Sequence, residues 1–192
     1  MTTLNLQVSA GADDAEESLT GTSFNAASTS LRCSVSANRG SGTRFSGVTI
    51  PQAATIDSAV WQGYVTSSKN DDPDLNIHFH EVDDSPDFAS SADLDGRARS
   101  TTFVLWSATG IGSGGYRSAP DITSVVQAAV DRAGWASGNA ITVILWPNGG
   151  SLTVASYEAN PAQTAKLDID YTAGGGGGAS IRRYSLSLTG VG

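Results

Sequence analysis

Pro120-Asp-Ile-Thr-Ser-Val-Val-Gln-Ala-Ala-Val-Asp-Arg-Ala-Gly-Trp-Ala-Ser-Gly-Asn-Ala-Ile-Thr-Val-Ile-Leu-Trp146 is the stretch that decides the fold, because it holds the one helical pattern in a chain otherwise written as strands. Ile122, Val125, Val126, Ala129 and Val130 recur at the spacing of three and four that makes one apolar face. Asp121 stands where its carboxylate can accept from the free amides of a first helical turn, and Gly134 is placed for a left-handed stop. A helix of about three turns is marginal alone in water, so it must lie on something. The β-branched run from Asn139 to Trp146, ended by Pro147-Asn-Gly-Gly, reads as a strand buried on at least one face. Together they predict a helix closing one end of a sheet sandwich, with the next strand in its core.

The chain has 192 residues, enough for one domain and a tail, and a body of about 170 residues buries roughly 70% of its unfolded surface without disulfides or a structural metal. Cys33 is the single cysteine and reads as a small buried apolar residue on the face of Leu31, Cys33, Val35 and Ala37. The start, MTTLNLQVSAGADD, has no basic, apolar leader pattern, and no segment approaches the roughly 18 apolar residues of a membrane span. These features predict a protein made and kept in a cytosol, or leaving it by a route other than secretion, with no membrane partner. A net charge of −8 with two lysines argues against nucleic-acid binding by the folded part.

Outward from the central stretch the pattern is of short strands. Leu4, Leu6 and Val8 alternate, and the acidic run Asp13, Asp14, Glu16, Glu17 lacks the glycine and ligand ladder of a calcium loop and reads as solvated. Ser30 to Ala37 is a strand, Gly40-Ser-Gly42 a turn, and Thr43 to Ile50 a strand with a bulge at Ser46-Gly47. Ala54 to Val65, broken at Asp57-Ser58, turns Ile56, Ala59, Trp61, Gly63 and Val65 inward, which makes Trp61 core rather than a sugar platform. Leu75 to Val82 buries Leu75, Ile77 and Phe79 and leaves His78 and His80 together on the other face. Two histidines so spaced can share a metal or meet a glycan, with Asp83 or Asp84 adding oxygen, but no further His or Cys completes a metal set; paired surface histidines are the plainer expectation. Phe88 and Leu94 pin a long loop from Ser85 to Gly96, Thr101 to Ala108 reads as a strand covered on both faces, and Gly110 to Tyr116 as a flexible loop rather than a phosphate cradle. Ser151 to Tyr157 and Ala165 to Tyr171 are the last strands, the latter with Leu167, Ile169 and Tyr171 inward.

The order of five segments carries a resemblance. Thr43-Arg-Phe-Ser-Gly-Val-Thr-Ile-Pro51, Ala54-Thr-Ile-Asp-Ser-Ala59, Asp83-Asp-Ser-Pro-Asp-Phe88, Pro120 to Gln127 with Gly134-Trp-Ala-Ser-Gly-Asn139, and Ser156-Tyr-Glu-Ala-Asn-Pro-Ala162 resemble the jelly-roll β-sandwich modules of the DNRLRE and carbohydrate-binding type. Such modules occur in phage virion proteins and in bacterial polysaccharide-binding proteins, and the resemblance spans about residues 10 to 172. It implies a non-catalytic module and does not choose between sugar binding and virion structure.

The end of the chain speaks to that choice. After residues 1–172 come a glycine-rich linker, 173–179, and a segment, 180–192, in which Tyr184, Leu186 and Leu188 alternate with Ser185, Ser187 and Thr189 behind Ile181, Arg182 and Arg183. A lone strand is unstable and needs an edge to join, which makes this segment either a docking arm for a partner's sheet or a disordered terminus. The fold class expected is therefore all-β, a jelly-roll β-sandwich with one short α-helix and an extended C-terminal arm. The leading expectation is a capsid decoration or cement protein in the virion of a tailed phage, assembled in the host cytosol, with no cofactor and no enzymatic activity. Its partners would be neighbouring capsid or fibre subunits, with symmetric self-association, such as a trimer, by analogy with jelly-roll virion proteins. The alternative is a carbohydrate-binding or host-adhesion module using Tyr64, His78, His80, Tyr116 and Trp135; exposed tryptophans would favour it, and three or four buried ones the virion role.

Overall fold

The computed structural model of the chain describes residues 1–19, 24–25, 27–66, 72–89 and 94–174. The strands are β1 (Thr2–Gln7), β2 (Asp14–Ser18), β3 (Phe24–Asn25), β4 (Ser30–Ser34), β5 (Arg39–Phe45), β6 (Thr55–Val65), β7 (Asp74–Phe79), β8 (Val104–Ser107), β9 (Gly115–Ser118), β10 (Ile141–Pro147), β11 (Ser151–Ala155) and β12 (Lys166–Thr172), with one α-helix, α1 (Thr123–Val130). All pairings are antiparallel, in the order β1-β12-β6-β11-β4-β5-β10-β7-β8, with β2 on the second edge of β5 and β9 on that of β6.

The path narrows to a single residue pair twice, at Val65 and Val154 between β6 and β11 and at Ser34 and Arg39 between β4 and β5. Strands that are not neighbours along the path meet through their side chains. The rings of Trp61 on β6 and Trp106 on β8 lie 6.1 Å apart edge-to-face, and Trp61 Nε1 donates to Thr43 Oγ1 on β5 at 3.0 Å. The result is the expected all-β sandwich with one short helix, its two layers sharing a core that includes Leu31, Phe45, Trp61, Ile77, Val143 and Leu167. Burial of such side chains stabilises by about 1.5–3 kcal/mol each, which makes this core the dominant favourable contribution to folding.

Alternation along β12 buries Leu167, Ile169 and Tyr171 as expected, and the break in β6 is real: Asp170 faces Ser58 while Tyr171 faces Ile56, leaving Asp57 as the extra residue. The helix buries Ile122, Val125, Val126, Ala129 and Val130, and Asp121 Oδ1 accepts from Thr123 N at 2.7 Å. It closes the free edge of β6, where Gln127 Oε1 accepts from Ile56 N and Gln127 Nε2 donates to the Ala54 carbonyl.

Several local expectations are overturned. The helix has eight residues rather than three turns, and Gly134 is not its left-handed stop; a Cβ there would meet the Asp83 carboxylate, so the glycine admits a neighbour. Gly40-Ser-Gly42 lies inside β5, and the turn falls earlier, with Asn38 at φ 51°, leaving Val35 exposed. The strand expected over 43–50 ends at Phe45, and the one expected over 75–82 ends at Phe79. β8 is four residues long and is not covered on both faces, since Phe103 and Leu105 are half exposed.

Gly42 is in β5 because of what crosses it. A Cβ at this position would lie 2.6 Å from Phe88 Cζ and 2.9 Å from Leu94 Cδ1, the two side chains that hold the described parts of the loop, 85–89 and 94–96, against Ala15 and Ile144. Gly42→Ala is expected to lower stability by about 1–3 kcal/mol through overpacking, read as a lowered urea midpoint with earlier proteolysis in that loop. A midpoint equal to that of the native chain would show that the loop is not seated on β5.

Candidate functional site

His78, His80, Asp83 and Asp84, the residues expected to meet a metal or glycan, do not converge. His78 Nδ1 is 2.8 Å from the Ser100 carbonyl, so that nitrogen carries the proton, and the ring lies 5.2 Å from that of Phe103. Burial, followed by the Arg99 charge, outweighs the bond to Ser100 and lowers its pKa. His80 is buried, not a surface histidine: its Nδ1 is 2.8 Å from Ser85 Oγ, which in turn lies 2.6 Å from Thr142 Oγ1. Arg97 completes this knot, donating to Ser85 Oγ and to the carbonyls of Pro86 and Asp87, with its guanidinium 4.0 Å from the Phe88 ring centre. Asp83 accepts from Arg132 Nε at 2.7 Å, and Asp84 accepts from Ala140 N at 2.8 Å. All four fasten the loops after β7. Among the described residues no group of three or more His, Cys, Asp or Glu is arranged to hold a metal ion.

The acidic run is the larger surprise, because it is a buried strand and not a solvated loop. Asp13, Asp14, Glu16 and Glu17 are all buried, and β2 uses its two faces to hold two different regions. On one face Asp14 Oδ2 accepts from Tyr157 N at 2.8 Å, and Glu16 accepts from Arg32 N at 2.7 Å while pairing with Arg39 at 3.0 Å. On the other, Glu17 Oε2 accepts from Leu94 N and Asp95 N at 2.7 and 2.9 Å. Asp13 pairs with Arg44 at 2.5 Å. Glu17 Oε1 and Asp14 Oδ1 have no partner among the described residues. Burial, then the charges of Glu158 and Asp13, push the Asp14 carboxyl up to about 7 against the lowering bond from Tyr157. Glu16 is raised by burial as well, despite its bond from Arg32 and its pair with Arg39.

The aromatic candidates divide. Trp135 is buried, its Nε1 donating to the Ile50 carbonyl at 2.9 Å, and is no platform for a sugar. Tyr64 and Tyr116 form an edge-to-face pair at 5.5 Å, with Lys166 Nζ 4.1 Å from the Tyr116 ring centre. Beside them Asn5, Leu6, Gln7, Gln62, Lys166 and Asp168 line a groove of about 320 Å³. Cys33 is fully buried and its thiol is pushed up by burial, which leaves it as the expected inert core residue. The arm residues Ile181, Arg182, Arg183, Tyr184, Leu186 and Leu188, and the expected linker from Gly175 on, lie outside the described residues.

Comparison with protein-family models and with curated proteins gives no match.

Proposed function

We propose that the protein is a non-catalytic structural component of a phage particle, a capsid decoration or cement protein whose jelly-roll body is displayed while its C-terminal arm engages neighbouring subunits. The observation that carries this is the fate of the tryptophans: Trp61, Trp106 and Trp135 are buried in the sandwich, so the rings a sugar-binding face would present are spent on the core. The histidines and carboxylates singled out by spacing are likewise engaged in holding loops, which builds a rigid block rather than a reaction centre. Many copies of a weak arm contact add up across a lattice, as multivalent attachment requires. The test is quantitative protein composition of purified particles: the proposal expects the chain at a fixed integer ratio to the major shell protein, and its absence from particles would overturn it.

A glycan-binding role is the second reading, favoured by the groove over β1, β12 and β6. Its amides, carboxylate and ammonium beside Tyr116 are groups that pair with hydroxyls. Binding of the chain to a glycan array, abolished by Gln62→Ala, would support that role; uniform absence of binding would leave the virion role alone.

A further inference from the structure

We infer that the outer edge of β8 is the acceptor for the C-terminal arm of a second copy of this chain. The inference rests on the arm being a docking element, as proposed above, and names where it docks. β8 ends the strand order and, among the described residues, pairs only with β7. Ala108 N donates to the Pro73 carbonyl on the β7 side, so by antiparallel alternation Trp106 and Val104 bond to β7, while Leu105 and Ser107 direct their backbone groups away from it. An unpaired ladder of this kind is a template for another strand.

The side chains agree with the backbone. Phe103 and Leu105 are 50% and 49% exposed, on the face where Phe103 lies against His78. Two other edge strands differ: β1 turns Thr3, Asn5 and Gln7 outward and β9 carries Tyr116 and Arg117 among glycine and serine. The arm carries a matching strip, Tyr184, Leu186 and Leu188 at every second position, so that adding it to β8 sets apolar side chains beside Phe103 and Leu105 as cross-strand neighbours.

Charge and position point the same way. Residues 175–192 carry two arginines and no acid, leaving a net −10 on residues 1–174 out of the chain's −8. The described chain ends at Gly174, against the Ala53 carbonyl. Gln52 beside it donates to the Arg132 carbonyl, Arg132 pairs with Asp83, Glu81 N donates to Ala98, and Ser100 N donates to Phe79, just ahead of β8. The arm therefore leaves from the end of the sandwich at which β8 begins. The ten residue steps from Gly174 to Tyr184 reach at most about 35 Å, enough to cross to an adjacent copy. Docking on the same copy would consume both arm and edge and leave neither for a lattice.

The experiment uses two full-length preparations with different tags, one Leu105→Cys and one Leu186→Cys, mixed and mildly oxidised; the native Cys33 is buried and does not compete. The inference predicts a disulfide joining the two differently tagged chains. No cross-link between the two tags, the result if each arm docked on its own copy or elsewhere, would overturn it. Sedimentation of full-length Leu105→Lys, whose exposed position spares the core, should show self-association at least ten-fold weaker, and unchanged association would count against the surface. If Leu105→Lys kept full attachment to particles while loss of residues 179–192 abolished it, the β8 acceptor would be wrong and the docking role of the arm would stand.

Discussion

Replacing Trp61 with alanine is expected to cost about 3–5 kcal/mol, enough to remove much of the stability of a domain of this size. The ring is fully buried where the two layers meet, edge-on to Trp106, and its indole N–H is the donor to Thr43. No collapse can fill the void cheaply, because one side is the backbone of Gly63, where even a Cβ would touch the indole, and the other is a strand of the opposite layer. Trp61→Phe should lose less, keeping most of the ring volume but stranding the Thr43 hydroxyl. Urea unfolding of the three chains checks this. An alanine variant with the native midpoint would mean that the layers do not share the core described here.

The second large effect is a pH dependence carried by Asp14. Its folded-state pKa, about 7, lies above its ordinary value of 3.8, so the folded chain binds that proton more tightly than the unfolded one. The stability this contributes is complete below 3.8 and is lost as pH rises through about 7, a total of about 4 kcal/mol. From this group alone the native chain should be about 2.5 kcal/mol more stable at pH 5 than at pH 8. Glu16, also raised, adds in the same direction, while His78, lowered, opposes it as pH falls. Asp14→Asn keeps an oxygen for Tyr157 N and places an amide donor near Glu158 and Asp13. It should therefore remove the slope assigned to Asp14 and be more stable than the native chain at pH 8. Denaturant titrations of both chains at pH 5 and 8 decide; a variant with the native slope would show that Asp14 is ionised and well solvated in the fold.

The regular parts of the fold are legible because local pattern and burial agree. Leu167, Ile169 and Tyr171 alternate over a half-buried sheet, and the Asp57-Ser58 break, where the inward set changes phase, is the bulge in β6. Trp61 follows from that register. The acidic strand was not legible: Asp14, Glu16 and Glu17 find their partners 143, 16 and 77 residues away, and four acids within five residues resemble a solvated turn until those amides are brought to them. Gly42 misled for the same reason, since a small residue in a strand and one in a turn look alike before Phe88 and Leu94 arrive. The half-open β8 shows the converse, an apolar alternation that describes one buried face and one face left half exposed.

Copies of the chain per particle, counted with and without residues 179–192, test most directly whether this is a displayed sandwich held by its own end. The count should fall from a fixed integer ratio to near zero on removal of that segment, with the thermal midpoint of the remaining chain unchanged. Full occupancy by the shortened chain would contradict it.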